Sequence, residues 1–284
     1  MTHAMPETAA KRAPATRISL FVSDVDGTLV TPEKVLSPAT VEAAHKLKAA
    51  GVALAIVSSR PPRGMVRQAA ELGLELFGGF NGSSIVRPDL TVVEQTFVPE
   101  KAAAAAIDAL ERHGADVWVF TDREWYVTNP DNPHVAREVR TVGFDPIVVE
   151  SFEGALERVG KIVGVSDDHD ALAHEEGKLQ ALLGHNALAK RSQVYYLDVT
   201  PPHMDKGHAV KSFAAHFGVP LEEVAVIGDM ANDLPMFATG HLAIAMGNAL
   251  PEIQAKADFV TTSNKDDGFA HAVEEFILPR AGAR

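Results

Sequence analysis

Two short apolar segments of this chain end in the same way, because carboxylates follow closely on the last apolar residue of each. Residues 18–23 lead into Asp24 and Asp26, and residues 224–227 lead into Asp229. A short continuous apolar run bounded by turn residues predicts a buried strand. Ligands of doubly wound sheets bind at the carboxyl ends of the strands, so both acidic clusters are predicted to lie at that edge.

The order of the predicted elements favours an α/β fold with a doubly wound parallel sheet of the Rossmann-like kind. Residues 52–57 form another continuous apolar run, which is typical of a parallel strand covered by helices on both faces. Strands and helices alternate near both ends of the chain, and this alternation predicts such a sheet. The expected helices there lie at residues 38–50, 61–72, 206–217, 233–239 and 269–278, and further strands at residues 242–245 and 259–261.

The middle of the chain has a different pattern, in which pairs of strands alternate with helices. This pattern predicts an α+β unit, residues 85–200, inserted as a cap into a catalytic core of residues 17–84 and 201–284. Residues 1–16 are predicted to be a disordered leader. Within the insert, helices are expected near residues 99–113, 134–141 and 170–183, and strands at residues 117–120, 125–128, 147–150, 161–165 and 193–199.

Composition narrows the range of partners and compartments. The chain has no cysteine, which excludes disulfides, thiolate metal sites and cysteine nucleophiles. Its formal net charge of −12 disfavours binding to nucleic acid and to anionic membranes. No apolar run reaches the roughly 20 residues that a membrane-spanning helix needs. We therefore expect a cytoplasmic protein, monomeric or homodimeric, without a nucleic-acid or membrane partner.

The acidic clusters carry the strongest chemical signal. Asp24 and Asp26 are two residues apart, so their side chains point to the same side of an extended strand. If the two acidic strands are neighbours, up to four carboxylates converge with those of Asp229 and Asp233. Such carboxylates would repel one another, and a hard cation such as Mg²⁺ resolves the repulsion with oxygen ligands. The alternative for each cluster is an acidic turn or a helix cap.

Local positive charge is needed if an acidic chain is to bind a phosphate. Lys206 stands at the start of a predicted helix, where free backbone N–H groups also favour anions. Ser58, Ser59 and Arg60 follow the strand at residues 52–57, and a hydroxyl there suits a phosphate oxygen. Neither a dinucleotide fingerprint nor a P-loop pattern follows a predicted strand, so neither kind of nucleotide site is indicated.

The order Asp-x-Asp-Gly-Thr, serine or threonine, lysine, and Gly-Asp-x-x-Asn-Asp resembles that of the haloacid dehalogenase-like superfamily. With Asn81-Gly82, Asp205-Lys206-Gly207 and Met246-Gly247-Asn248-Ala249, the chain resembles the Cof-type (class IIB cap) phosphatases of that superfamily. The resemblance covers nearly the whole chain after residue 16. One departure is the second motif, where this chain has Ser58-Ser59-Arg60 in place of Thr-Gly-Arg. Serine retains the hydroxyl that the motif supplies.

The resemblance implies a Mg²⁺-dependent phosphatase that acts on small phosphorylated metabolites, with sugar phosphates as the leading class. It implies that Asp24 is the nucleophile and forms an aspartyl-phosphate, and that Asp26 protonates the leaving oxygen and then activates water. It implies a catalytic role for Lys206 beside phosphate. It further implies phosphate or substrate binding by Ser58, Ser59, Arg60, Asn81, Gly82, Lys206 and Asn232, and metal binding by Asp24, Asp26 (through its carbonyl), Asp229 and Asp233.

Two alternatives to a phosphatase remain open from the sequence. A phosphomutase of the same superfamily would use the same Asp24 and return the phosphoryl group to the sugar. A regulatory binding protein would retain the fold without useful turnover, although the intact set of carboxylates and lysine argues against it.

Overall fold

The computed structural model describes residues 17–282, so the predicted leader at residues 1–16 lies outside the described residues. In this part of the chain the strands form one sheet of 8 strands and one of 6. No described helix is both long enough and apolar enough to cross a membrane. In chain order, the strands are β1 (Leu20–Ser23), β2 (Ala53–Val57), β3 (Phe77–Gly79), β4 (Ser84–Val86), β5 (Val92–Gln95), β6 (Asp116–Thr121), β7 (Trp125–Val127), β8 (Ile147–Val148), β9 (Val159–Val165), β10 (Leu188–Gln193), β11 (Tyr196–Thr200), β12 (Val224–Gly228), β13 (Leu242–Ala245) and β14 (Phe259–Val260).

The helices alternate with the strands of the first sheet and pack on both faces of the second. They are α1 (Pro38–Ala49), α2 (Val66–Glu71), α3 (Glu100–Arg112), α4 (Pro133–Val142), α5 (His169–Leu183), α6 (Lys206–Phe217), α7 (Leu234–Thr239), α8 (Pro251–Gln254) and α9 (Gly268–Ala272). Three predicted helices differ in detail. At residues 61–72, the 3-10 turn Pro62–Met65 replaces the start of the predicted helix. The 3-10 turn Ala231–Asp233 precedes α7. The π-turn Val273–Ile277 follows α9 and takes the place of the end of the helix predicted at residues 269–278.

The first sheet has the order β14-β13-β12-β1-β2-β3-β4-β5 and is parallel from β14 to β3. Because side chains alternate along a strand, Phe21 faces α1 and α9 while Val22 faces α6 and α7. Each fully buried side chain of this size contributes about 1.5–3 kcal/mol of hydrophobic free energy. The predicted α/β fold with a doubly wound parallel sheet is confirmed, and β1 lies at its centre.

The first sheet continues past the predicted start of the insert at residue 85. β3, β4 and β5 pair antiparallel with one another, so Ile85 lies inside the first sheet. The turn between β4 and β5 is closed by the Arg87 N–H, which donates to the Thr91 carbonyl at 2.9 Å. Both strands are short and Val92 is exposed, so the apolar pattern there is too weak to predict a sheet edge. The chain leaves the first sheet after β5, later than the sequence predicted.

The second sheet has the order β10-β11-β9-β6-β7-β8 and carries α3 and α5 on one face. The predicted hairpin at residues 117–128 is present, because β6 and β7 pair antiparallel. The other face of this sheet presents Trp118, Phe120 and Tyr196. It packs against α4 and against Phe80, which belongs to the loop after β3 of the first sheet. One face of the second sheet is therefore turned toward the first.

Candidate active site

The carboxyl ends of β1 and β12 place two acidic segments side by side. The strands are adjacent and parallel, with Ser23 opposite Ile227. The Asp24 N–H donates to the Ile227 carbonyl at 3.0 Å, which extends the pairing one residue beyond the strand. Asp24 is only 4% exposed, although its side chain is a carboxylate. Burial of such a group requires a partner, because an unpaired charge in the interior costs several kcal/mol.

Lys206 is that partner. It is the first residue of α6, and the Asp205 side chain caps the helix by accepting from the His208 N–H at 2.9 Å. The Lys206 ammonium donates to Oδ1 of Asp24 and to Oδ1 of Asp233, each at 2.5 Å. Lys206 is 1% exposed and Asp233 is fully buried. One cation thus joins β1, α6 and the segment after β12 in a buried ion-pair network.

The network contains more negative than positive charge, and the pKa values reflect this excess. Burial raises the pKa of Asp24 to about 8, and Asp233 and Asp229 add to the rise while Lys206 opposes it. Burial and the Asp233 charge raise the pKa of Asp229 to about 6. Burial alone would lower the pKa of Lys206, but Asp233 and Asp24 outweigh it and raise that pKa above its usual value. A further positive charge near these carboxylates would offset this excess of negative charge.

The carboxylates of Asp24, Asp229 and Asp233 differ in how their oxygens are hydrogen-bonded. Oδ2 of Asp233 accepts from the N–H groups of Asp229 and Met230, each at 2.8 Å, and Oδ1 is bonded to Lys206. Asp229 accepts weaker hydrogen bonds from Thr28 at 3.3 Å and from Asn248 at 3.2 Å. The buried Oδ2 of Asp24 has no hydrogen-bond partner among the described residues.

These oxygens fit a divalent cation. One carboxylate oxygen from each of Asp24, Asp229 and Asp233 lies within 4.8 Å of the other two. Mg²⁺ prefers oxygen ligands and retains several waters, so one or two carboxylates are enough to hold it. Asp24 has one oxygen without a partner and Asp229 accepts only long hydrogen bonds, whereas both oxygens of Asp233 are bonded at 2.5–2.8 Å to Lys206 and the backbone. The donor set therefore favours Asp24 and Asp229 as ligands, with Asp233 as a support for Lys206.

Asp26 lies outside this cluster and has its own cationic partners. The Arg60 guanidinium donates to both of its carboxylate oxygens, at 2.5 and 2.6 Å, and the Lys34 ammonium donates at 2.6 Å. Arg60 is 4% exposed. Burial opposes the ionisation of Asp26, but Arg60 and Lys34 outweigh burial and lower its pKa to about 2. The Asp26 carboxylate is thus anionic and bonded to cations, and it is not one of the clustered metal-ligand candidates.

The other predicted substrate-binding residues surround the cluster. The buried Ser58 accepts from the Arg60 N–H at 3.2 Å, and its carbonyl accepts from the Asn81 N–H at 2.8 Å. Asn232 donates to the Asn81 side chain at 3.3 Å, which joins the loops after β3 and β12. Gly82 lies against the Asp205 carbonyl at the start of α6. Ser59 is partly exposed. The structure brings these residues to one edge of the sheet, and their roles in binding stay predictions.

Gly27 is needed for the close approach of the two acidic segments. Its φ is +86°, and a Cβ there would lie 2.3 Å from Oδ2 of Asp229. We expect Gly27→Ala to displace the Asp229 carboxylate and to lower kcat/KM by about 100-fold, because a shift of about 1 Å in a catalytic group can cost that much. Steady-state kinetics and urea unfolding measure both effects.

Gly51 offers a matched control for this substitution. Its φ is +74°, and a Cβ there would meet nothing within 4 Å. Gly51→Ala should therefore cost about 1–2 kcal/mol of stability from the left-handed backbone alone and leave kinetics unchanged. Equal kinetic effects of the two substitutions would contradict the clash with Asp229.

Three residues that contact the acidic side chains had no role predicted from the sequence, although Thr28 and Asn248 belong to motifs of the resemblance. Lys34 binds Asp26 from the loop after β1, where its φ is +65°. Thr28 donates to Asp229. Asn248 bridges the Gly27 carbonyl at 2.9 Å and Asp229. Asn248 follows β13, and this position at the carboxyl end of a strand could have identified it as a site residue. Lys34 stands in a loop and has no such signal.

Known proteins resemble this chain along most of its length. A family model for haloacid dehalogenase-like hydrolases matches residues 21–273. The HMP-PP phosphatase of Cronobacter sakazakii is 31% identical over 235 residues, which cover 82% of this chain and 85% of that protein. The Bacillus subtilis protein YwtE, a 5-amino-6-(5-phospho-D-ribitylamino)uracil phosphatase, is 26% identical over 89% of this chain and 96% of its own length. The crystal structure of a haloacid dehalogenase-like hydrolase from Bacteroides thetaiotaomicron has a TM-score of 0.84 and 26% identity, and the match covers 91% of this chain and 99% of that one.

Proposed function

Since the chain belongs to the family of haloacid dehalogenase-like hydrolases and is a phosphatase, we propose that it hydrolyses phosphate monoesters with Mg²⁺ and through an aspartyl-phosphate on Asp24. The observation that carries the proposal is the buried network in which Lys206 holds Asp24 and Asp233. Phosphoryl transfer needs positioned charge more than elaborate covalent chemistry, and this network supplies it.

The proposed substrates are small phosphorylated metabolites, with sugar phosphates first. The names of two relatives give phosphorylated small molecules as substrates, and one of these carries a phospho-D-ribitylamino chain. The unit that contains the second sheet would act as a cap over the site. Its face toward the first sheet would then bind the body of the substrate while the core binds the phosphate.

In the first step, a carboxylate oxygen of Asp24 attacks phosphorus, and the bond from phosphorus to the ester oxygen breaks. The leaving oxygen takes a proton from Asp26 and departs as an alcohol. Lys206 is bonded to Asp24, and Ser58 follows β2, the strand next to β1. Both side chains would hold phosphate oxygens. In the second step, water attacks phosphorus as Asp26 takes a proton from it. The bond from phosphorus to the Asp24 oxygen breaks, which restores the Asp24 carboxylate and releases inorganic phosphate. Division of hydrolysis into two displacements replaces one difficult step by two easier ones.

Asp26 must carry a proton before the first step, although Arg60 and Lys34 hold it anionic in the structure. A bound phosphate dianion competes for Arg60 and brings negative charge close to the Asp26 carboxylate. Both effects favour protonation. After the alcohol leaves, the return of Arg60 to Asp26 would stabilise the anion that accepts the proton from water.

Mg²⁺ would be held by Asp24, Asp229 and the Asp26 carbonyl, and it would supply positive charge for the phosphate oxygens. A ligand that binds only the folded state raises stability by about 2.7 kcal/mol at 100 times its Kd. We therefore expect Mg²⁺ to raise the midpoint of thermal unfolding of the wild type. Asp229→Asn should abolish most of that rise, because it removes one anionic ligand.

The matched control for this metal test is Asp108→Asn on the exposed face of α3. It should retain the full Mg²⁺ effect. The same rise in Asp229→Asn as in the wild type would place the metal elsewhere.

The experiment that tests the function is phosphate release from p-nitrophenyl phosphate with and without Mg²⁺. Release that depends on Mg²⁺ supports the proposal, and no release from the folded wild type together with formation of sugar-phosphate isomers would favour the mutase.

A further inference from the structure

The side chain of Arg63 joins the core to the cap, the part of the chain that forms the second sheet. Arg63 lies in the 3-10 turn that follows β2 in the core. Its Nη1 donates to Oε2 of Glu124 at 2.7 Å and more weakly to the Arg123 carbonyl at 3.4 Å, both in the turn between β6 and β7. Its guanidinium also lies over the Phe144 ring, which follows α4, with Cζ 4.4 Å from the ring centroid. One core side chain thus binds two separate elements of the cap.

The next residue, Gly64, brings the backbone of the core against the backbone of the cap. A Cβ at Gly64 would lie 2.7 Å from the carbonyl oxygen of Val142, the last residue of α4. Only glycine permits so close an approach of two backbones. The polar contacts of Arg63 and the close approach at Gly64 therefore occur at adjacent residues, and together they seat the cap on this turn.

The same short segment carries a side chain of the candidate active site. Arg60, three residues before Arg63, donates to both carboxylate oxygens of Asp26. Pro61 and Pro62 lie between the two arginines, and proline fixes φ near −65°, so the segment has little freedom to bend. The position of the cap and the position of the Asp26 partner are thus set by one stiff segment.

The contacts of Arg63 are accessible to water, so they can break. The Arg63 side chain is 42% exposed and that of Glu124 is 37% exposed. A cavity of about 370 Å³ borders both side chains and residues 89–91 of the turn between β4 and β5. An exposed ion pair and an exposed cation–π contact each change an equilibrium by about fivefold at most. These contacts therefore favour a closed cap without locking it.

We propose that Arg63 is a positioning residue that holds the cap closed over the phosphate site. Its bonds to Glu124 and Phe144 break when the cap opens to admit substrate or to release product. Closure excludes water from the reaction and completes the site. When only the closed state binds substrate productively, the apparent affinity falls with the closed fraction. The inference rests on the proposed function, because it assigns the residues that govern closure of the same site.

Tryptophan fluorescence measures closure without turnover. Trp118 and Trp125 are the only tryptophans of the chain, are 1% and 0% exposed, and lie on the cap face that packs against Phe80 of the core. Quenching by acrylamide should rise by about two- to fivefold in Arg63→Met and in Arg63→Glu. The double variant Arg63→Glu with Glu124→Arg should return quenching toward the wild-type value, because it restores the ion pair with the charges exchanged.

Steady-state kinetics with p-nitrophenyl phosphate and Mg²⁺ separate closure from chemistry. Arg63→Met should raise KM by about 3- to 20-fold without lowering kcat, because the residues that touch the phosphate are unchanged. Gly64→Ala should raise both KM and quenching by a different route, since its Cβ would push the Val142 backbone away.

Two substitutions serve as matched controls and should keep wild-type KM and quenching. Gly154→Ala also changes a glycine of a 3-10 turn, where a Cβ would meet nothing within 4 Å. Arg67→Met removes an exposed arginine of α2, four residues after Arg63.

Unchanged quenching or unchanged KM in both Arg63→Met and Gly64→Ala would overturn the inference. A fall in kcat at unchanged KM would also overturn it, as would a double charge exchange that leaves quenching as high as in Arg63→Glu. Failure of the folded wild type to release phosphate would instead refute the proposed function, and the quenching measurements would still decide whether Arg63 holds the cap closed.

Discussion

Replacement of Asp24 by asparagine is expected to lower kcat for phosphate release by at least about a thousandfold. The substitution keeps the shape of the side chain but removes the anionic oxygen that attacks phosphorus, and loss of a nucleophile typically costs this much or more. Steady-state release of phosphate from p-nitrophenyl phosphate at saturating Mg²⁺ measures the effect.

Stability must be followed in the same variant, because Asp24 is part of a buried network. Asp233 remains to pair with Lys206 in Asp24→Asn, so we expect the variant to stay folded. The control Asp108→Asn changes an exposed carboxylate of α3 and should keep wild-type kinetics. A folded Asp24→Asn protein that retains more than about a tenth of the wild-type kcat would contradict the role of Asp24 as nucleophile.

Replacement of Lys206 by methionine is expected to have the largest effect on stability. The ammonium is the cation that Asp24 and Asp233 share, and its loss leaves both carboxylates buried without it. Removal of one partner from a buried ion pair costs about 3–5 kcal/mol, because the remaining charge is uncompensated. Urea unfolding in the absence of Mg²⁺ measures the difference. Activity should also be lost, since the cation beside the phosphate is gone.

Two further variants separate loss of charge from loss of packing at this position. Lys211→Met removes a lysine from the exposed side of the same helix and should change stability by less than about 0.5 kcal/mol. Mg²⁺ should restore part of the stability of Lys206→Met, because it offsets the charge of the same carboxylates. A loss below about 1 kcal/mol in Lys206→Met would contradict the buried network.

Elements with a strong local signal were predicted well. The bounds of α6, Lys206–Phe217, match the sequence prediction because Asp205 caps the helix and Gly218 ends it with a left-handed residue. β13, Leu242–Ala245, matches because it is a continuous apolar run between polar residues. The antiparallel pair β4 and β5 was missed, because the strands have only three and four residues and the valines of β5 are exposed, which leaves no clear period.

The site was predictable to the extent that it follows from strand ends. Asp24 and Asp229 lie at the ends of adjacent parallel strands, and Lys206 begins the helix beside them. The pairing of Asp26 with Arg60 and Lys34 was not predicted, because a contact between side chains of separate loops leaves no local pattern. The catalytic and binding roles, the cytoplasmic location and the oligomeric state stay predictions.

The most direct test of the account is to trap the covalent intermediate. The enzyme would be mixed with Mg²⁺ and a sugar phosphate that it hydrolyses, and the reaction would be quenched in acid within milliseconds. The protein would then be digested and its peptides examined by mass spectrometry. The account predicts a phosphoryl group on Asp24 in the wild type and none in Asp24→Asn. An active wild type whose phosphoryl group is found on another residue, or whose Asp24 peptide is never phosphorylated at any quench time, would contradict it.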